Sequence, residues 1–361
     1  MTTQPIRNDQ SAGWTLTRAS RLPRARALAW FGEDLYAASG YQLLRATIQN
    51  PQSVTWEPVA QFQPTWRRRL SVMNGLTSRL FRDGFHALAV LPSGGLVAAV
   101  PGAIITRRPN QPEFGVTRTI TRGTRPLHIT AVPGGSVFWG EYFDNPARDE
   151  VYIYASNDGG STWSVAYTFP KAAIRHVHNI VHDPWGDCLW VLTGDYGDEC
   201  RVLRASCDFS RVESVLQGNQ QARAVALVPT ADGLYFSSDT PLEQNHIYRL
   251  DREGHLSQLA PISSSSIYGC RVEDRVFFST MVEPSAVNRS RQVRIYGGNF
   301  PSGWHSPLGW TKDAWPMGLF QYGNAFLPDG VNGTPYLAVS TIAVEEDDMA
   351  TSIYAMRKSD A

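Results

Sequence analysis

One phrase recurs along the chain: a polar or aromatic residue, an apolar strand, a turn rich in Pro, Gly and Asp, and a second apolar strand. Its copies begin at Ala25, Phe85, Leu127, Val177, Ala222, Ile267 and Gln321. Most copies are separated by about 42 to 54 residues, the length of one four-stranded propeller blade. Apolar and polar residues alternate within them, which favours strands over helices. The repeat therefore predicts an all-β, seven-bladed β-propeller of four-stranded antiparallel blades, forming a single domain over residues 1–361.

The two ends of the chain predict how the ring closes. The last copy ends with SIYAMRK, which supplies only its third strand. Residues 13–19, GWTLTRA, have the pattern of a fourth strand but belong to no copy. We expect this N-terminal strand to pair with the last blade, because closure removes the open edges that a linear array would expose.

A basic insertion separates the first two copies. Residues 65–84, TWRRRLSVMNGLTSRLFRDG, carry five arginines: Arg67, Arg68, Arg69, Arg79 and Arg82. We expect a short amphipathic helix or a solvated loop lying over one face of the ring. The alternative is that these arginines reach an anionic substrate.

Composition excludes several function classes. Lys and Arg equal Asp and Glu at 33 each, so no global field favours nucleic acid or an anionic membrane. The first residues lack the apolar core of a secretory signal, and no apolar run has transmembrane length. The four cysteines form no C-x-x-C pair, which indicates free thiols in a reducing compartment. We expect a cytoplasmic monomer that binds neither nucleic acid nor membranes.

Alignment of the seven copies reveals a column of chemically active residues. Its members stand at the start of the innermost strands and are Arg26, His86, His128, His178, Arg223, Tyr268 and Tyr322. The second strands return to the same face, and their ends carry Glu141, Tyr142, Asp195, Asp239 and Glu283. Because innermost strands surround the channel of a propeller, we expect these groups to line a concave site at its mouth. The alternative is a polar, water-filled funnel whose charges neutralise each other.

The densest part of this column is Arg175-His176-Val177-His178. On a strand, His176 and His178 share one face. An H-x-H pair can bind a divalent metal ion in the central channel, with Asp195 or Glu199 completing the set. A hydrogen-bonded histidine pair without metal is the alternative.

Residues 156–163, SNDGGSTW, match the pattern S-x-D-x-G-x-T-W of an Asp-box. The motif resembles those of BNR-repeat, sialidase-like propellers, where it forms the turn between the third and fourth strands of a blade. Phrases such as RPLHI, RHVHNIVHDP, WVLTGD and FFSTMVEPS extend the similarity over residues 81–339 to a bacterial BNR-repeat family often labelled glycosyl-hydrolase-like. The resemblance implies the propeller fold and an oligosaccharide or polysaccharide partner. It also implies that Asp158 stabilises a turn on the face opposite the column.

Seven-bladed propellers that resemble polysaccharide lyases use His, Tyr and Arg at the channel mouth. By that resemblance, Arg223 would stabilise the carboxylate of a uronic acid, and His128 or His178 would remove a proton. Tyr142 or Tyr268 would then protonate the leaving oxygen.

Hydrolysis would instead need two opposed carboxylates, with Glu141, Asp195, Asp239 and Glu283 as candidates. The groups expected to contact substrate are Arg26, His86, Arg175, His176, Asp195, Asp239, Glu283 and Tyr322. We predict cleavage of an acidic glycan, with the lyase slightly preferred. A glycoside hydrolase and a non-catalytic glycan- or protein-binding propeller remain the alternatives.

Overall fold

The computed structural model describes residues 13–358, and within this range the strands form seven sheets that are the blades of a β-propeller. The predicted fold class is confirmed. The chain begins with β1 (Trp14–Pro23), which belongs to the last blade. Blade 1 contains β2 (Arg26–Gly32), β3 (Asp34–Ser39), β4 (Gln42–Thr47) and β5 (Glu57–Gln61). Blade 2 contains β6 (Ala87–Val90), β7 (Leu96–Val100), β8 (Ala103–Arg107) and β9 (Gly115–Thr119).

The next four blades follow the same antiparallel order. Blade 3 contains β10 (Thr130–Ala131), β11 (Val137–Gly140), β12 (Val151–Ser156) and β13 (Ser164–Phe169). Blade 4 contains β14 (His176–Asp183), β15 (Cys188–Gly194), β16 (Arg201–Ala205) and β17 (Val212–Gln217). Blade 5 contains β18 (Ala224–Thr230), β19 (Gly233–Ser238), β20 (His246–Asp251) and β21 (Leu256–Pro261). Blade 6 contains β22 (Ser266–Val272), β23 (Arg275–Thr280), β24 (Gln292–Asn299) and β25 (Gly303–Thr311).

Blade 7 closes the ring. Its strands are β26 (Asn324–Phe326), β28 (Tyr336–Ile342), β29 (Ala350–Lys358) and the N-terminal β1. β1 pairs antiparallel with β29, from Trp14 opposite Lys358 to Pro23 opposite Ala350. The predicted closing strand is therefore confirmed, and it extends to Pro23.

Apolar packing between neighbouring blades holds the ring together. Ile153 of blade 3 and Leu203 of blade 4 lie in one buried cluster, and Leu192 of blade 4 packs with Phe236 of blade 5 in another. Inner strands are buried on both faces, so β15 is apolar or small along almost its whole length. Full burial of a side chain such as Phe236 contributes about 2 to 3 kcal/mol.

An additional strand enters the channel. β27 (Asp329–Asn332) pairs in parallel with β2, with Asp329 opposite Ala29, and it lies on the channel side of that innermost strand. It also contacts β6 and β22 across the ring. Gly330 has φ 86°, and a Cβ there would collide with the carbonyl oxygen of Trp30. This segment of blade 7 narrows the channel.

The insertion forms two short helices, α1 (Trp66–Ser71) and α2 (Gly75–Phe81). The buried guanidinium of Arg79 lies 2.6 Å from the carboxylate of Asp313 and donates to the carbonyl oxygen of Phe320 at 2.9 Å. Phe320 ends α3 (Met317–Phe320) of blade 7, so Arg79 anchors the insertion to that blade. None of the helices within residues 13–358 is long and apolar enough to cross a membrane.

Candidate functional site at the channel mouth

Two histidines and a carboxylate converge between blades 3, 4 and 5. β14 begins at His176, which pairs with Gly194 at the end of β15, and Asp195 follows directly. The Nε2 atoms of His176 and His178 lie 3.1 Å apart. The Oδ1 atom of Asp195 lies 3.5 Å from Nε2 of His176 and 3.4 Å from Nε2 of His178. All three side chains are buried. The distances show that the structure brings together the three residues that the sequence analysis grouped.

Backbone carbonyls fix both imidazole rings. His176 donates its Nδ1–H to the carbonyl oxygen of Phe143 at 3.1 Å. His178 donates its Nδ1–H to the carbonyl oxygen of Ala224 at 3.0 Å. Burial lowers the pKa of His178, so its ring is neutral at neutral pH. The Nε2 atoms of both rings therefore face Asp195.

Asp195 is the centre of an ion-pair network. Arg175 Nη1 lies 3.2 Å from its Oδ2 atom, and Arg223 Nη2 lies 3.5 Å from its Oδ1 atom. Burial on its own raises the pKa of Asp195, but contacts with His176 and His178 outweigh it and hold the pKa well below its usual range. The carboxylate is therefore ionised.

Asp239 adds a second carboxyl group to the same guanidinium. Arg223 Nη2 lies 3.7 Å from Oδ2 of Asp239. Burial raises the pKa of Asp239 to about 7, with Arg223 opposing the shift and Glu283 adding to it. Near neutral pH this carboxyl can hold or release a proton. Hereafter the set His176, His178, Asp195, Arg223 and Asp239 is called the His–Asp cluster.

Tyr142 covers the His–Asp cluster from blade 3. Its ring centroid lies 4.3 Å from that of His176 and 6.3 Å from that of His178. Burial raises the pKa of Tyr142 to about 12, and the carboxylates of Asp195 and Asp239 add to the shift. The phenol is therefore a neutral donor at neutral pH.

A second group of side chains occupies the side of blades 1, 2, 3 and 6. Arg26 donates to the hydroxyl of Tyr268 at 3.4 Å, and its Nη1 lies 3.4 Å from Nδ1 of His86. The Arg26 guanidinium also lies 3.9 Å from the ring centroid of Phe326. His128 contacts Asp329 of β27, with 3.0 Å between Nδ1 and Oδ2. The set Arg26, His86, Arg125, His128 and Tyr268 is called the arginine pocket.

Arg125 is a member of the arginine pocket that the sequence did not reveal. It stands two residues before the repeated phrase, as the first residue of RPLHI, and the sequence analysis assigned it no role. Burial lowers its pKa to about 10, and the neighbouring charge of Arg26 adds to this effect. Burial also holds the pKa of His86 well below its usual range, with Arg125 the next cause. Among the described residues, no carboxylate forms an ion pair with Arg26 or Arg125.

Five predicted site residues belong to neither set: Tyr142 and Arg175, which contact the His–Asp cluster, and Glu141, Tyr322 and Glu283. Glu141 accepts hydrogen bonds from the guanidinium of Arg122 and from the backbone N–H of Tyr152, at 3.0 Å in the latter case. It therefore braces blade 3, and the structure gives it no contact with the catalytic candidates. Tyr322 is 37% exposed beyond α3. Glu283 contributes to the site through its charge near Asp239.

The predicted ring of seven residues occupies several depths, because the innermost strands contain β-bulges. The ladder register shifts around four residues: Leu28, His178, Val225 and Ile267. Arg26, His176 and Arg223 each lie two residues before the bulge of their own blade, so they occupy equivalent positions in the register. His178 itself lies in a bulge, and Tyr268 lies one residue after the bulge at Ile267. The column inferred from the aligned phrases is corrected accordingly: the arginine pocket and the His–Asp cluster share one level through Arg26, His176 and Arg223.

The Asp158 turn lies elsewhere. It joins β12 to β13, and its carboxylate accepts from the backbone N–H groups of Ser161 and Thr162 at 3.0 and 2.9 Å. Antiparallel strand order places it at the face opposite the site. Asp208 forms a similar turn between β16 and β17, where it accepts from Ser206 and Ser210. The sequence analysis missed this second turn because Ser210, Val212 and Glu213 stand where the motif has Gly, Thr and Trp.

A scan against protein families finds no match for the chain, and a search of curated proteins finds none either. Solved structures do share its fold. A chain in a crystal structure of the mitotic checkpoint complex superposes with a TM-score of 0.57 at 10% identity, covering 98% of this chain and 97% of that one. The β-propeller domain of Myceliophteria thermophila Cps50 (Swd1) gives 0.55 at 11% identity, covering 95% and 99%. At this identity the similarity establishes the propeller fold alone.

Proposed function

We propose that the protein binds an acidic glycan at the mouth of its channel and cleaves it there. The observation that carries this proposal is the shared level of two complementary groups of side chains. Arg26 of the arginine pocket is equivalent in register to His176 and Arg223 of the His–Asp cluster. A ligand across the mouth would therefore meet an anion-binding pocket and a proton-transfer site together.

The arginine pocket supports an acidic ligand. Arg26 and Arg125 are both half-buried and repel each other, and neither is neutralised by an ion pair among the described residues. A carboxylate would relieve this repulsion and accept charge-assisted hydrogen bonds. The choice of a glycan rests on the resemblance of residues 81–339 to BNR-repeat propellers.

The His–Asp cluster supports hydrolysis better than elimination. Arg223 contacts both Asp195 and Asp239, so its charge is not free to stabilise a uronate carboxylate. An ionised carboxylate and a carboxyl that can donate a proton supply the two kinds of group that glycoside hydrolysis uses. In this scheme Asp239 is the general acid, and Tyr142 donates a hydrogen bond to the substrate. The groups around Asp195 position the attacking water.

The test is a panel of uronic-acid and sialic-acid oligosaccharides incubated with the protein. New reducing ends without ultraviolet absorbance from an unsaturated product would support hydrolysis, whereas that absorbance would support elimination. Asp239→Asn is expected to abolish turnover and keep binding, while Arg26→Gln weakens binding. Arg211→Gln, on the surface of blade 4, is the matched control. Absence of both binding and products across the panel would overturn the proposal.

A second candidate is a non-catalytic, protein-binding propeller. The insertion exposes a set of large apolar side chains: Trp66, Leu70, Met73, Leu76 and Phe81. Exposed apolar groups in one segment are typical of protein-interaction surfaces. One of the structural neighbours above comes from a multiprotein complex. If this candidate holds, the double variant Trp66→Ser and Phe81→Ser will lose binding to a purified partner protein. Asp239→Asn will bind that partner with wild-type affinity.

A further inference from the structure

We propose that His176, His178 and Asp195 bind one divalent metal ion, zinc, through Nε2, Nε2 and Oδ1. Binding of the ion follows from the geometry alone. Its use in catalysis rests on the proposed function, which it deepens by naming what activates the attacking water.

The first argument is the convergence of three ligand atoms. Each ring donates its Nδ1–H to a backbone carbonyl, of Phe143 or of Ala224, which turns its Nε2 atom towards Asp195. The two Nε2 atoms lie 3.1 Å apart, and Oδ1 of Asp195 lies within 3.5 Å of both. Two imidazole nitrogens and one carboxylate oxygen therefore surround a single point, as they do around a bound zinc ion.

The second argument is the size of the triangle that these atoms form. For bond lengths of about 2.0 to 2.1 Å, neighbouring ligands lie about 3.3 Å apart in a tetrahedron and about 2.9 Å apart in an octahedron. The observed edges are 3.1, 3.4 and 3.5 Å, so the tetrahedral value fits better. Two imidazoles and a carboxylate in this geometry match zinc. Three protein ligands leave a fourth position open, as in catalytic zinc sites.

The third argument is the shell of contacts around the ligands. Metal-binding histidines commonly donate their other N–H to a backbone carbonyl, as both rings do here. Arg175 holds Oδ2 of Asp195 at 3.2 Å, which leaves Oδ1 directed at the histidines. Gln220 and Arg223 donate to the Asp195 carbonyl oxygen at 3.1 and 3.2 Å. Each ligand is therefore fixed by a contact outside the triangle.

The backbone beside the triangle is shaped for the rings. A Cβ at Gly194 would lie 2.9 Å from Cε1 of His178, so only glycine leaves room for this ring orientation. The bulge at His178 then aims its side chain at Asp195, which a regular strand register would not do. A bound zinc ion would lower the pKa of a coordinated water, which would then serve as the nucleophile opposite Asp239.

The test measures metal binding without any substrate. Chelator-treated protein is titrated with Zn²⁺ against a chromophoric chelator, and with Co²⁺ while visible absorption is recorded. We expect one ion per chain and the intense visible bands of tetrahedral cobalt. His178→Ala and Asp195→Asn should weaken zinc affinity by more than about 100-fold, and Gly194→Ala by about 10- to 100-fold.

The matched control is Asn179→Ala. Asn179 is a buried neighbour on β14 and donates to the Val225 carbonyl oxygen at 2.9 Å, so the variant removes a comparable inter-blade hydrogen bond but no ligand. It should keep wild-type affinity. The proposal is overturned if folded wild-type protein binds neither ion, or if the ligand variants bind as tightly as Asn179→Ala. Tight zinc binding together with inactivity on every glycan would overturn the proposed function and would leave the zinc site supported.

Discussion

Asp195 and Asp239 contact the same guanidinium nitrogen, Nη2 of Arg223, at 3.5 and 3.7 Å, yet their pKa values are shifted in opposite directions. The pKa of Asp195 is held well below its usual range, while that of Asp239 is raised to about 7. Asp195 is surrounded by histidines and two arginines, whereas Asp239 faces Glu283 and has Arg223 as its only ion-pair partner within residues 13–358. One arginine therefore bridges an ionised carboxylate and a carboxyl that titrates near neutral pH.

Asp239→Asn should remove a pH dependence of stability. Between about pH 4 and pH 7, folded Asp239 keeps a proton that the unfolded chain has lost, so the free energy of unfolding falls as pH rises through this window. The charged neighbours that face Asp239 are Arg223, Asp195 and Glu283, and Ser265 donates a hydrogen bond. The asparagine variant should gain up to about 3 kcal/mol relative to wild type between pH 5 and pH 8. Urea denaturation at both pH values measures this difference.

Asp149→Asn serves as the control, because Asp149 is an exposed carboxylate of blade 3 paired with Lys171. Its difference from wild type should stay the same at both pH values. A parallel pH dependence in wild type and Asp239→Asn would show that Asp239 is not the group that titrates. In an activity assay, loss of a general acid should lower kcat by about 100- to 10,000-fold.

Arg125→Gln should weaken binding of an acidic ligand without destabilising the protein. The variant removes a half-buried charge that is repelled by Arg26, so the melting temperature without ligand should stay the same or rise. Loss of a charged hydrogen bond costs about 1.5 to 3 kcal/mol, so affinity for a uronic-acid oligosaccharide should fall at least tenfold. Calorimetry at low salt measures the affinity, with Arg211→Gln as the surface control. Equal affinity in both variants would remove Arg125 from the binding site.

Repetition is the reason that the sequence predicted the fold. Seven copies of a strand–turn–strand phrase, together with the unpaired GWTLTRA segment, determine both the blade number and the closing pair of β1 with β29. The meeting of His176, His178 and Asp195 was also predictable. H-x-H begins the innermost strand of blade 4, and Asp195 follows the strand paired with it.

The rest of the site depends on features that a pattern of residue types does not encode. The bulges at Leu28, His178 and Val225 change the depth at which side chains lie in the channel, but they do not change the alternation of apolar residues in the sequence. Arg125 reaches the channel from a connection between blades. β27 crosses from blade 7 to pair with blade 1, although its sequence DGVN has the composition of a turn. In each case, tertiary contacts outweigh the conformational preference of the local sequence.

Asp158→Ala should destabilise blade 3 and leave the site unchanged. The side chain accepts two backbone N–H groups and the hydroxyls of Ser156 and Thr162, so its removal leaves several donors without their partner. The free energy of unfolding should fall by about 1 to 3 kcal/mol. Asp208→Ala provides the comparison in blade 4, and the double variant should show additive losses because the turns are separate. Zinc affinity and ligand affinity should match wild type in all three proteins; a selective loss of either would connect the turn to the site.

Removal of residues 1–23 should open the ring. β29 would lose its pairing with β1, which extends from Trp14 to Pro23. The backbone N–H and C=O groups of β29 would then form an exposed sheet edge. The side chains of Trp14 and Leu16 would also leave the apolar cluster that contains Tyr354 and Phe277. We expect a lower melting temperature and aggregation in light scattering, while a truncation of residues 1–12, which keeps β1 intact, should behave as wild type. A synthetic peptide of residues 13–23 should restore the monomer by pairing with β29, because strand addition replaces the lost hydrogen bonds. If the longer truncation stays monomeric with an unchanged melting temperature, closure by β1 contributes little to stability and the blade contacts alone hold the ring.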